Sequence, residues 1–326
     1  MRFGIVGTNF ISKEFVHALR QMQGGTVFAV YSRTQETADA FADRHGIPKR
    51  FTDYERMLSE QELDAVYIAS PNRFHFEQAK AALQHGKHVL LEKPACPTAA
   101  EFSELLELAD RQGVLLLEAM RPVYTEGIRE VQAAIERLGP VRHVSLHYCQ
   151  YSSRYDKFRK GIVENAFDPT LCNGALMDLG CYLVHLAVYL FGPPNGVSAV
   201  ARKLSNGLDA QGTATLSYEE KLMTLTYSKI ADGHTPSEIQ GEQASLLLWG
   251  ITNPKKVLLV QRDGTQETVY QAEDDEFFGM RHEIEAFFEM AKGERSAGAY
   301  QRTTEQTLRV MEEIRAQTGI DFKKKR

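Results

Sequence analysis

Cysteines are few in this sequence, and they form no recognisable pattern. The 326 residues include four, Cys96, Cys149, Cys172 and Cys181, with no C-x-x-C pair among them. Sparse, unpatterned cysteines exclude a disulfide-rich secreted scaffold and favour a reduced setting, which predicts a cytoplasmic protein. Residues 1–7 run directly into a predicted strand, and no small-residue cleavage site follows, so no signal peptide is predicted.

A strong charge bias and a long uninterrupted apolar run are also missing. The net charge is −5, with 43% hydrophobic and 25% charged residues, which is an ordinary globular composition. So mild a charge predicts no nucleic-acid partner. The longest apolar stretch, residues 175–191, is short for a membrane span and contains Asp178 and His185, so no membrane partner is predicted either. The basic end, residues 323–326, is interpreted as a solvated tail.

Metal-ligand spacings and repeats are absent as well. None of the ten histidines stands in a pattern such as H-E-x-x-H, so no metal site is predicted. The sequence contains no internal repeat and no low-complexity segment. What remains is a chain whose length suits two ordinary globular domains, each able to bury a core.

Strands and helices alternate through the first third of the chain. Short apolar runs predict strands, and helical spacing of apolar residues predicts helices between them, one opened by a capping box of Thr98 and Glu101. The predicted strands are residues 3–6, 27–31, 64–69, 88–91 and 114–117. Continuously apolar strands are typical of a parallel sheet covered on both faces. Residues 1–121 are therefore predicted to form a doubly wound α/β domain of Rossmann type, although topology alone leaves open another function for such a domain.

The turn after the first strand carries part of a dinucleotide-binding fingerprint. Gly7 stands at the first glycine position of G-x-G-x-x-G, where the chain turns tightly, and Asn9 and Ser12 stand at the other two. Asparagine tolerates left-handed backbone, which would allow a pyrophosphate to approach closely at Asn9. Ser12 is small enough for close packing of a helix on a strand. The fingerprint is imperfect but suits a dinucleotide cofactor.

The end of the second strand carries a hydroxyl and a guanidinium where many relatives of this fold carry a carboxylate. NAD-selective sites usually place Asp or Glu there, bound to the ribose 2′-hydroxyl. Here the residues are Ser32 and Arg33, and arginine forms charge-assisted hydrogen bonds with phosphate. We therefore predict NADP(H) as the preferred cofactor, with NAD(H) as the second choice. The alternative is that Arg33 is a solvated turn residue.

Three further motifs resemble those of one enzyme family. Residues 70–75 (SPNRFH) follow the third strand, residues 92–94 (EKP) follow the fourth, and residues 173–185 (NGALMDLGCYLVH) come later. In order and spacing, over nearly the whole chain, they resemble the glucose–fructose oxidoreductase / inositol dehydrogenase family, Gfo/Idh/MocA. The resemblance implies cofactor contacts from Gly7, Thr8, Asn9, Phe10, Ile11, Ser32, Arg33, Ser70, Pro71, Asn72, His75, Glu92 and Lys93.

The apolar residues 175–191 predict a buried helix with a polar stripe. Asp178, Tyr182 and His185 are spaced i, i+4 and i+7, so they would share one side of that helix. A buried carboxylate needs a partner or a polar cavity, and such a stripe suits a substrate pocket. An internal hydrogen-bond network is the alternative.

The resemblance also implies roles for individual side chains in the reaction. Lys93 would lie beside the substrate oxygen, aimed by a following peptide bond that is often cis in the family, and would give or take the oxygen's proton. Tyr182 would be a second proton donor or the acid itself. Asp178 would orient the substrate hydroxyl or tune Lys93, and His185 would bind a neighbouring hydroxyl.

The remaining residues, 122–326, are predicted to form an α+β domain. Apolar alternation from residue 141 and the later runs 212–218, 222–230, 244–249 and 257–262 predict a mainly antiparallel open sheet. Residues 150–167 have no clear period and are interpreted as an active-site loop, with Tyr151 as a substrate contact. The resemblance implies that this domain binds the substrate and pairs subunits, giving a homodimer or homotetramer.

The Asp-x-x-x-Tyr pattern at Asp178 and Tyr182 bears on the substrate. The inositol dehydrogenase branch carries His where this chain has Tyr182, and Asp where it has His185. The pattern here is more similar to glucose–fructose oxidoreductase and dimeric dihydrodiol dehydrogenase. It therefore puts inositol in doubt and favours an aldose, a carbonyl sugar or a trans-dihydrodiol-like substrate.

Together these features predict an oxidoreductase that transfers a hydride between a nicotinamide cofactor and a sugar, polyol or diol carbon. One alternative is a non-catalytic NADP(H)-sensing regulator, against which the presence of Lys93, Asp178 and Tyr182 argues. The other is a glycoside-processing enzyme that uses tightly bound NAD for a transient oxidation. Fold analogy does not separate these functions, because function lies in the site.

Overall fold

The computed structural model describes residues 1–272 and 279–322, which form two compact units. Counting described residues, the first unit comprises residues 1–120 and 279–305, and the second comprises residues 121–272 and 306–322. The sequence predicted a single boundary after residue 121, which assigned residues 279–305 to the second domain. In the structure these residues belong to the first unit. The predicted domain roles stay predictions, and the basic tail, residues 323–326, lies outside the described residues.

The described strands of the first unit form a parallel sheet. They are β1 Arg2–Val6, β2 Thr26–Tyr31, β3 Lys49–Phe51, β4 Ala65–Ile68, β5 His88–Glu92 and β6 Leu116–Ala119. Their order in the sheet is β3-β2-β1-β4-β5-β6, and each neighbouring pair is parallel. The order reverses between β1 and β4, which is the switch point where doubly wound sheets bind ligands. The predicted α/β class is confirmed.

The helices within the described residues connect and cover the two sheets. They are α1 Phe10–Arg20, α2 Gln35–Arg44, α3 Tyr54–Leu58, α4 His75–Gln84, α5 Ala99–Gln112, α6 Glu126–Ala134, α7 Tyr155–Arg159, α8 Cys181–Phe191, α9 Met280–Ala291 and α10 Gly298–Thr318. The predicted capping box opens α5: the backbone N–H of Glu101 donates to Oγ1 of Thr98, and the N–H of Thr98 donates to Oε2 of Glu101, both at 3.2 Å. Gly113, with φ +66°, ends this helix as predicted.

Aromatic side chains join β1, β4 and α1 in the core of the first unit. Phe15 of α1 stacks on Tyr67 of β4 with ring centroids 3.9 Å apart, and Phe3 of β1 packs edge-on against Phe15 at 5.3 Å. All three are fully buried. Burying one such side chain stabilises the fold by roughly 1.5–3 kcal/mol, so this cluster fixes α1 against the turn that precedes it.

Two short elements of the first unit were not predicted. Strand β3 has three residues, Lys-Arg-Phe, all of intermediate exposure. Helix α3 has only five residues. Neither is long enough to show a periodic pattern, and β3 lies at the edge of the sheet, where an apolar sequence is not required. The last strand, β6, begins two residues later than predicted.

The described strands of the second unit form a mostly antiparallel sheet. They are β7 Val141–Cys149, β8 Gly196–Lys203, β9 Asp209–Ser217, β10 Leu222–Ser228, β11 Ser237–Gly241, β12 Ala244–Trp249, β13 Lys256–Gln261 and β14 Gln266–Gln271. Their order is β14-β13-β12-β11-β7-β10-β9-β8, and β7 and β10 pair in parallel while the other pairs are antiparallel. The predicted open, mainly antiparallel sheet is confirmed.

Three strands of this sheet were not predicted. The edge strand β14 carries charged or amide side chains on much of its length, which suits an edge exposed to water. The other edge strand, β8, consists mainly of small and apolar residues and ends in Arg202 and Lys203. Strand β11 is short, with a single large apolar residue, Ile239, at its centre.

One helical segment, Pro169–Phe191, has the length and apolar composition of a membrane span. In its most apolar window, however, 78% of the residues are buried. A mostly buried apolar helix is a core helix, as the polar residues within it predicted. It differs from the prediction in one respect, since Leu176–Gly180 forms a π-helical turn that leads into α8.

Candidate active site

The predicted cofactor residues follow four strands of the parallel sheet. Gly7 follows β1, Ser32 follows β2, Ser70 lies just past β4, and Lys93 follows β5. Because the carboxyl ends of parallel strands meet at one edge of a sheet, the fold collects these loops at its ligand-binding edge. The full set, in these loops and at the adjoining ends of helices and strands, is Gly7, Thr8, Asn9, Phe10, Ile11, Ser32, Arg33, Ser70, Pro71, Asn72, His75, Glu92 and Lys93.

The turn after β1 requires glycine at its first position. Gly7 has φ +103°, and a Cβ there would lie 2.8 Å from the carbonyl oxygen of Ala69. The turn therefore passes as close to β4 as a backbone can, which is what the first fingerprint glycine provides. The prediction of a tight turn at Gly7 agrees with this geometry.

Asn9 stabilises this turn in a way that differs from the prediction. Its backbone is extended, with φ −86° and ψ −176°, and not left-handed. Its Oδ1 accepts a 3.1 Å hydrogen bond from the N–H of Ser12, and its Nδ2 donates at 2.7 Å to the carbonyl oxygen of Ala69. Asn9 therefore caps α1 and ties it to β4, because a side-chain cap needs an extended residue. Ser12 is fully buried, as close packing of α1 requires.

The first turn of α1 is accessible at this edge. Phe10 is 63% exposed, and Thr8 and Ile11 are half-buried. An eleven-residue helix directs its first backbone N–H groups and the positive end of its dipole outward here. That arrangement suits a pyrophosphate, which helix N-termini in dinucleotide-binding folds bind.

The loop after β2 presents donors at the start of α2. The N–H of Ser32 is bonded to the carbonyl oxygen of Phe51, and its Oγ lies 2.5 Å from Oγ1 of Thr37. Thr34 caps α2, and the side chain of Arg33 is exposed. A guanidinium, hydroxyls and a helix N-terminus together form a setting for a phosphate group.

His75 connects the loops that follow β4 and β5. The ring is fully buried, with Nε2 2.8 Å from the carbonyl oxygen of Ser70 and Nδ1 3.1 Å from that of Pro94. Burial lowers the pKa of the imidazole. The structure thus gives His75 a part in holding the two loops together, and its direct contact with a cofactor stays a prediction.

The backbone at Lys93 is held by the preceding glutamate. Glu92 is almost fully buried; its Oε1 accepts a 2.6 Å hydrogen bond from the hydroxyl of Tyr67, and its Oε2 accepts one of 3.2 Å from the N–H of Lys93. The Lys93–Pro94 peptide bond is cis, as the resemblance implied. Glu92 therefore lies beneath the lysine and fixes the backbone from which its side chain projects.

A second buried carboxyl, Glu118 of β6, holds the same loop and was not predicted. Its Oε1 accepts the N–H of Ala95, and its Oε2 accepts the hydroxyl of Thr304, both at 2.8 Å. Burial raises the pKa of Glu118 to about 7, and the charge of Glu92 adds to this, although Lys93 and both hydrogen bonds act in the opposite direction. Glu118 stands within an apolar strand, and nothing in the sequence indicates that its side chain faces the loop.

Glu118 should make stability depend on pH. A folded-state pKa near 7 lies above the unfolded value of 4.5, so the stabilisation is complete below about pH 4.5 and is lost as the pH rises through 7. In urea unfolding from about pH 5 to pH 8, we expect the wild-type unfolding free energy to fall by about 2 kcal/mol more than that of Glu118→Gln. Glu107→Gln, at a 73% exposed position, is the matched control. Equal pH dependence in wild type and Glu118→Gln would contradict the assignment.

In the second unit, Asp178 lies in the π-helical turn and is paired with a lysine. Its Oδ2 accepts a 2.8 Å hydrogen bond from Nζ of Lys229, the residue after β10. Because the turn is π-helical, the i, i+4 spacing of an α-helix does not hold between Asp178 and Tyr182, so the predicted single stripe is incorrect in detail. The exposures differ accordingly: the Asp178 side chain is 37% exposed, whereas Tyr182 and His185 are buried.

Tyr182 and His185 lie inside α8 in different surroundings. The ring of Tyr182 packs edge-on against Tyr148 of β7, with centroids 5.9 Å apart. Burial lowers the pKa of His185 to about 3, so its imidazole is neutral at physiological pH. A neutral imidazole can bind a hydroxyl but cannot supply a proton as an imidazolium; the substrate contact predicted for it stays a prediction.

The segment predicted as a long loop, residues 150–167, contains a short helix. It includes α7 and a 3₁₀ turn at Asn165–Phe167, each too short to give a period in the sequence. The hydroxyl of Tyr151 donates to Oδ1 of Asp156 at 2.7 Å, which raises the pKa of Tyr151. Its predicted contact with substrate stays a prediction.

A buried aspartate fixes the start of the π-helical turn. Oδ2 of Asp209 accepts a 2.6 Å hydrogen bond from the N–H of Leu176. Gly174 has φ +129°, and a Cβ there would overlap Oδ1 of Asp209. Burial raises the pKa of Asp209 to about 6. Asp209 and Lys229 were not predicted, because a charged residue at a strand end is usually solvated. The one signal in the sequence is their position, since Asp209 begins β9 and Lys229 directly follows β10.

Comparison with known proteins agrees with this architecture. Residues 1–120 match the model of an oxidoreductase family with an NAD-binding Rossmann fold, and residues 128–247 match the GFO/IDH/MocA C-terminal domain. The chain is 41% identical to scyllo-inositol 2-dehydrogenase (NADP(+)) IolU of Bacillus subtilis over 99% of this chain and 98% of that one. It is 29% identical to trans-1,2-dihydrobenzene-1,2-diol dehydrogenase of Xenopus tropicalis over 70% of this chain and 69% of that one.

A solved structure shares the whole fold. The 3-ketoreductase KijD10 of Actinomadura kijaniata, in complex with NADP and TDP-benzene, superposes with a TM-score of 0.86 over 98% of both chains, at 21% identity. The predicted resemblance and the predicted dehydrogenase class are confirmed. The chain belongs to the GFO/IDH/MocA family of oxidoreductases, whose first domain is an NAD-binding Rossmann fold.

Proposed function

We propose that this protein catalyses reversible hydride transfer between NADP(H) and a carbon that bears a hydroxyl or carbonyl group in a polyol, sugar or diol. The observation that carries the proposal is the collection of Gly7, Ser32, Arg33 and Lys93 in loops at one edge of the parallel sheet. Bound nicotinamide would supply or accept the hydride at its C4 atom. The remaining chemistry is to bind, orient and move one proton.

The preference for NADP(H) over NAD(H) is supported by the loop after β2. It offers the exposed Arg33, the Ser32 hydroxyl and the N-terminus of α2, and residues 32–34 include no carboxylate to repel a 2′-phosphate, although Glu36 lies in the first turn of α2. The Bacillus subtilis relative is named for NADP(+), which agrees with this assignment.

The proposed reaction assigns a role to each predicted site residue. In the oxidative direction the hydrogen on the reacting carbon would leave as hydride to the nicotinamide, and the hydroxyl proton would pass to Lys93. The reacting carbon of the substrate would then bear a carbonyl group. Tyr182 is the second proton donor or acceptor, and Asp178 orients the reacting hydroxyl. His185 and Tyr151 bind neighbouring hydroxyls. Positioning of this kind accounts for a large part of the rate enhancement in such enzymes.

The substrate class follows from the Asp-x-x-x-Tyr pattern and from the relatives together. The pattern favours an aldose or a trans-dihydrodiol, and one relative is named for a dihydrodiol. Another relative, with higher identity, is named for scyllo-inositol, so cyclic polyols belong to the substrate class as well. What these molecules share is a hydroxyl-bearing carbon next to at least one further hydroxyl-bearing carbon.

We also propose that the protein is cytoplasmic and forms a homodimer or homotetramer. The small number of cysteines, with no C-x-x-C pair among them, supports the first proposal. The exposed apolar side chains of Val200 and Leu222 on the second sheet support the second. A monomeric mass by light scattering would contradict the oligomer.

The test combines cofactor binding with turnover. The purified protein is titrated with NADPH and with NADH by fluorescence, then assayed with NADP⁺ and scyllo-inositol, D-glucose or a trans-dihydrodiol. We expect NADPH to bind more tightly than NADH and at least one substrate to reduce NADP⁺. Preference for NADH would refute the role of Arg33 but leave the enzyme class intact. Binding of neither nucleotide would refute the proposed function.

A further inference from the structure

The lysine that pairs with Asp178 is itself deeply buried. The Lys229 side chain is 3% exposed, and its Nζ donates at 2.8 Å to Oδ2 of Asp178 and at 3.2 Å to the carbonyl oxygen of Ala166. Nζ also lies 5.0 Å from the ring centroid of Phe167, a distance that suits a cation–π contact. Burying an ammonium is costly, so these partners are needed to keep it in place.

The ion pair is asymmetric, and its exposed member is the carboxylate. Asp178 is 37% exposed on its side chain, while Lys229 is closed off from solvent. A ligand that reaches this pair therefore meets Asp178 first, with Lys229 behind it. The ammonium is placed to act on a substrate only through the carboxylate.

The backbone of Lys229 is fixed on both sides. Its N–H donates at 2.9 Å to the carbonyl oxygen of Ala210, and its own carbonyl oxygen accepts the N–H of Ser152 at 2.9 Å. Lys229 thus joins the start of β9, the beginning and end of the 150–167 segment, and the π-helical turn. A side chain held in this way has little freedom to reorient, and it limits the freedom of its partner.

The charge of Lys229 acts on a second carboxyl as well. It lowers the pKa of Asp209, against the larger effect of burial, which raises that pKa to about 6. One ammonium therefore lies among two acidic groups, Asp178 and Asp209. Because desolvation of the buried ammonium offsets its attraction to the carboxylate, this ion pair is weak evidence for a stabilising role.

We propose that Lys229 is a positioning residue for the reaction, which fixes the orientation and the negative charge of the Asp178 carboxylate. This inference rests on the proposed function, in which Asp178 orients the reacting hydroxyl. Lys229 does not touch the reacting atoms. Without the ammonium, the carboxylate would lose the charged donor at 2.8 Å that holds its Oδ2, and its orientation toward the substrate hydroxyl would be less precise.

The test is a double-mutant cycle between Lys229 and Asp178. We expect Lys229→Met to lower kcat about 100-fold with the substrate that the wild type oxidises, because misplacement by about 1 Å has effects of that size. NADPH binding should not change. In the Asp178→Asn background, the same substitution should have almost no further effect on kcat, since its target has already been altered. Lys229→Gln, which keeps N–H donors but not the charge, should recover part of the loss.

Lys87→Met is the matched control for the loss of a buried lysine. Lys87 is 9% exposed, and its Nζ donates to the carbonyl oxygens of Glu60 and Leu63, so the substitution removes a buried ammonium without a catalytic neighbour. We expect it to lower the melting temperature but not kcat. If Lys229→Met does not fold, the double-mutant cycle with Asp178→Asn is measured with Lys229→Gln in its place.

The outcomes separate this inference from the proposed function. Wild-type kcat in Lys229→Met, or an equal further loss in the Asp178→Asn background, would overturn the positioning role while the enzyme class stands. A wild-type protein that binds NADPH but oxidises none of the tested polyols, sugars and diols would overturn the proposed function, and this inference with it.

Discussion

Replacing Lys93 with methionine is expected to lower kcat by about a thousandfold while leaving NADPH binding intact. Positioned acid–base groups contribute roughly 10²–10⁴-fold to rates, and methionine retains the length of the side chain without a transferable proton. The local backbone should survive the change, because Glu92 accepts its hydrogen bond from the backbone N–H at position 93, which methionine keeps. Steady-state kinetics and a fluorescence titration with NADPH measure the two quantities.

A lysine elsewhere in the first unit provides the control for this experiment. Lys80 of α4 pairs with Glu104 at 2.7 Å, away from the predicted cofactor loops. Lys80→Met should leave kcat unchanged. If Lys93→Met kept near-normal turnover, Lys93 would have no part in the proton transfer, and the assignment of the reacting centre would fail.

Replacing Arg33 with alanine is expected to weaken NADPH binding by about 10–100-fold and to change NADH binding little. Hydrogen bonds between charged groups contribute about 1.5–3 kcal/mol, and a factor of ten in affinity corresponds to about 1.4 kcal/mol. Only NADPH carries the 2′-phosphate that Arg33 is proposed to bind. Arg33→Asp should go further and reverse the preference, because a carboxylate repels the phosphate and accepts the ribose hydroxyl of NADH.

The matched control uses another exposed arginine of the first unit. Arg111 lies in the last turn of α5, which leads to the amino end of β6, and it pairs only loosely with Glu107 at 3.7 Å. Arg111→Ala should leave both dissociation constants unchanged. Equal weakening of NADPH and NADH binding by Arg33→Ala would mean that Arg33 supports the fold of the loop and does not select the cofactor.

The sequence was most informative where one physical requirement determines the residue. Continuous apolar runs gave β1, β2, β4 and β5, since strands covered on both faces need such runs. Gly7 was identified from the fingerprint, and the structure gives the reason for a glycine there, since a Cβ would lie 2.8 Å from the carbonyl oxygen of Ala69. By contrast, β3 and β14 lie at sheet edges, where polar residues serve as well as apolar ones, so neither strand shows an apolar pattern in the sequence.

Candidate site residues that stand in motifs could be proposed from the sequence. The residues that hold them in place could not. Lys93 and Asp178 stand in recognisable motifs. Glu118, Asp209 and Lys229 act through partners that are distant in the sequence, and an isolated charged residue gives no indication of its partner. Asn9 was singled out because asparagine tolerates left-handed backbone. In the structure its backbone is extended, and its side chain caps α1.

The contact between Gly174 and Asp209 limits how this chain can be recombined with its relatives. A side chain at 174 would occupy the space of the Asp209 carboxylate, and a shorter residue at 209 would remove the acceptor for the N–H of Leu176. Gly174 is thus required by its φ of +129° as well as by the Asp209 carboxylate, and position 209 must keep an acceptor that fits against a glycine. A chimera whose crossover lies between them is sound only when both parents carry the same pair, so a crossover before residue 174 or after residue 209 is the safer choice.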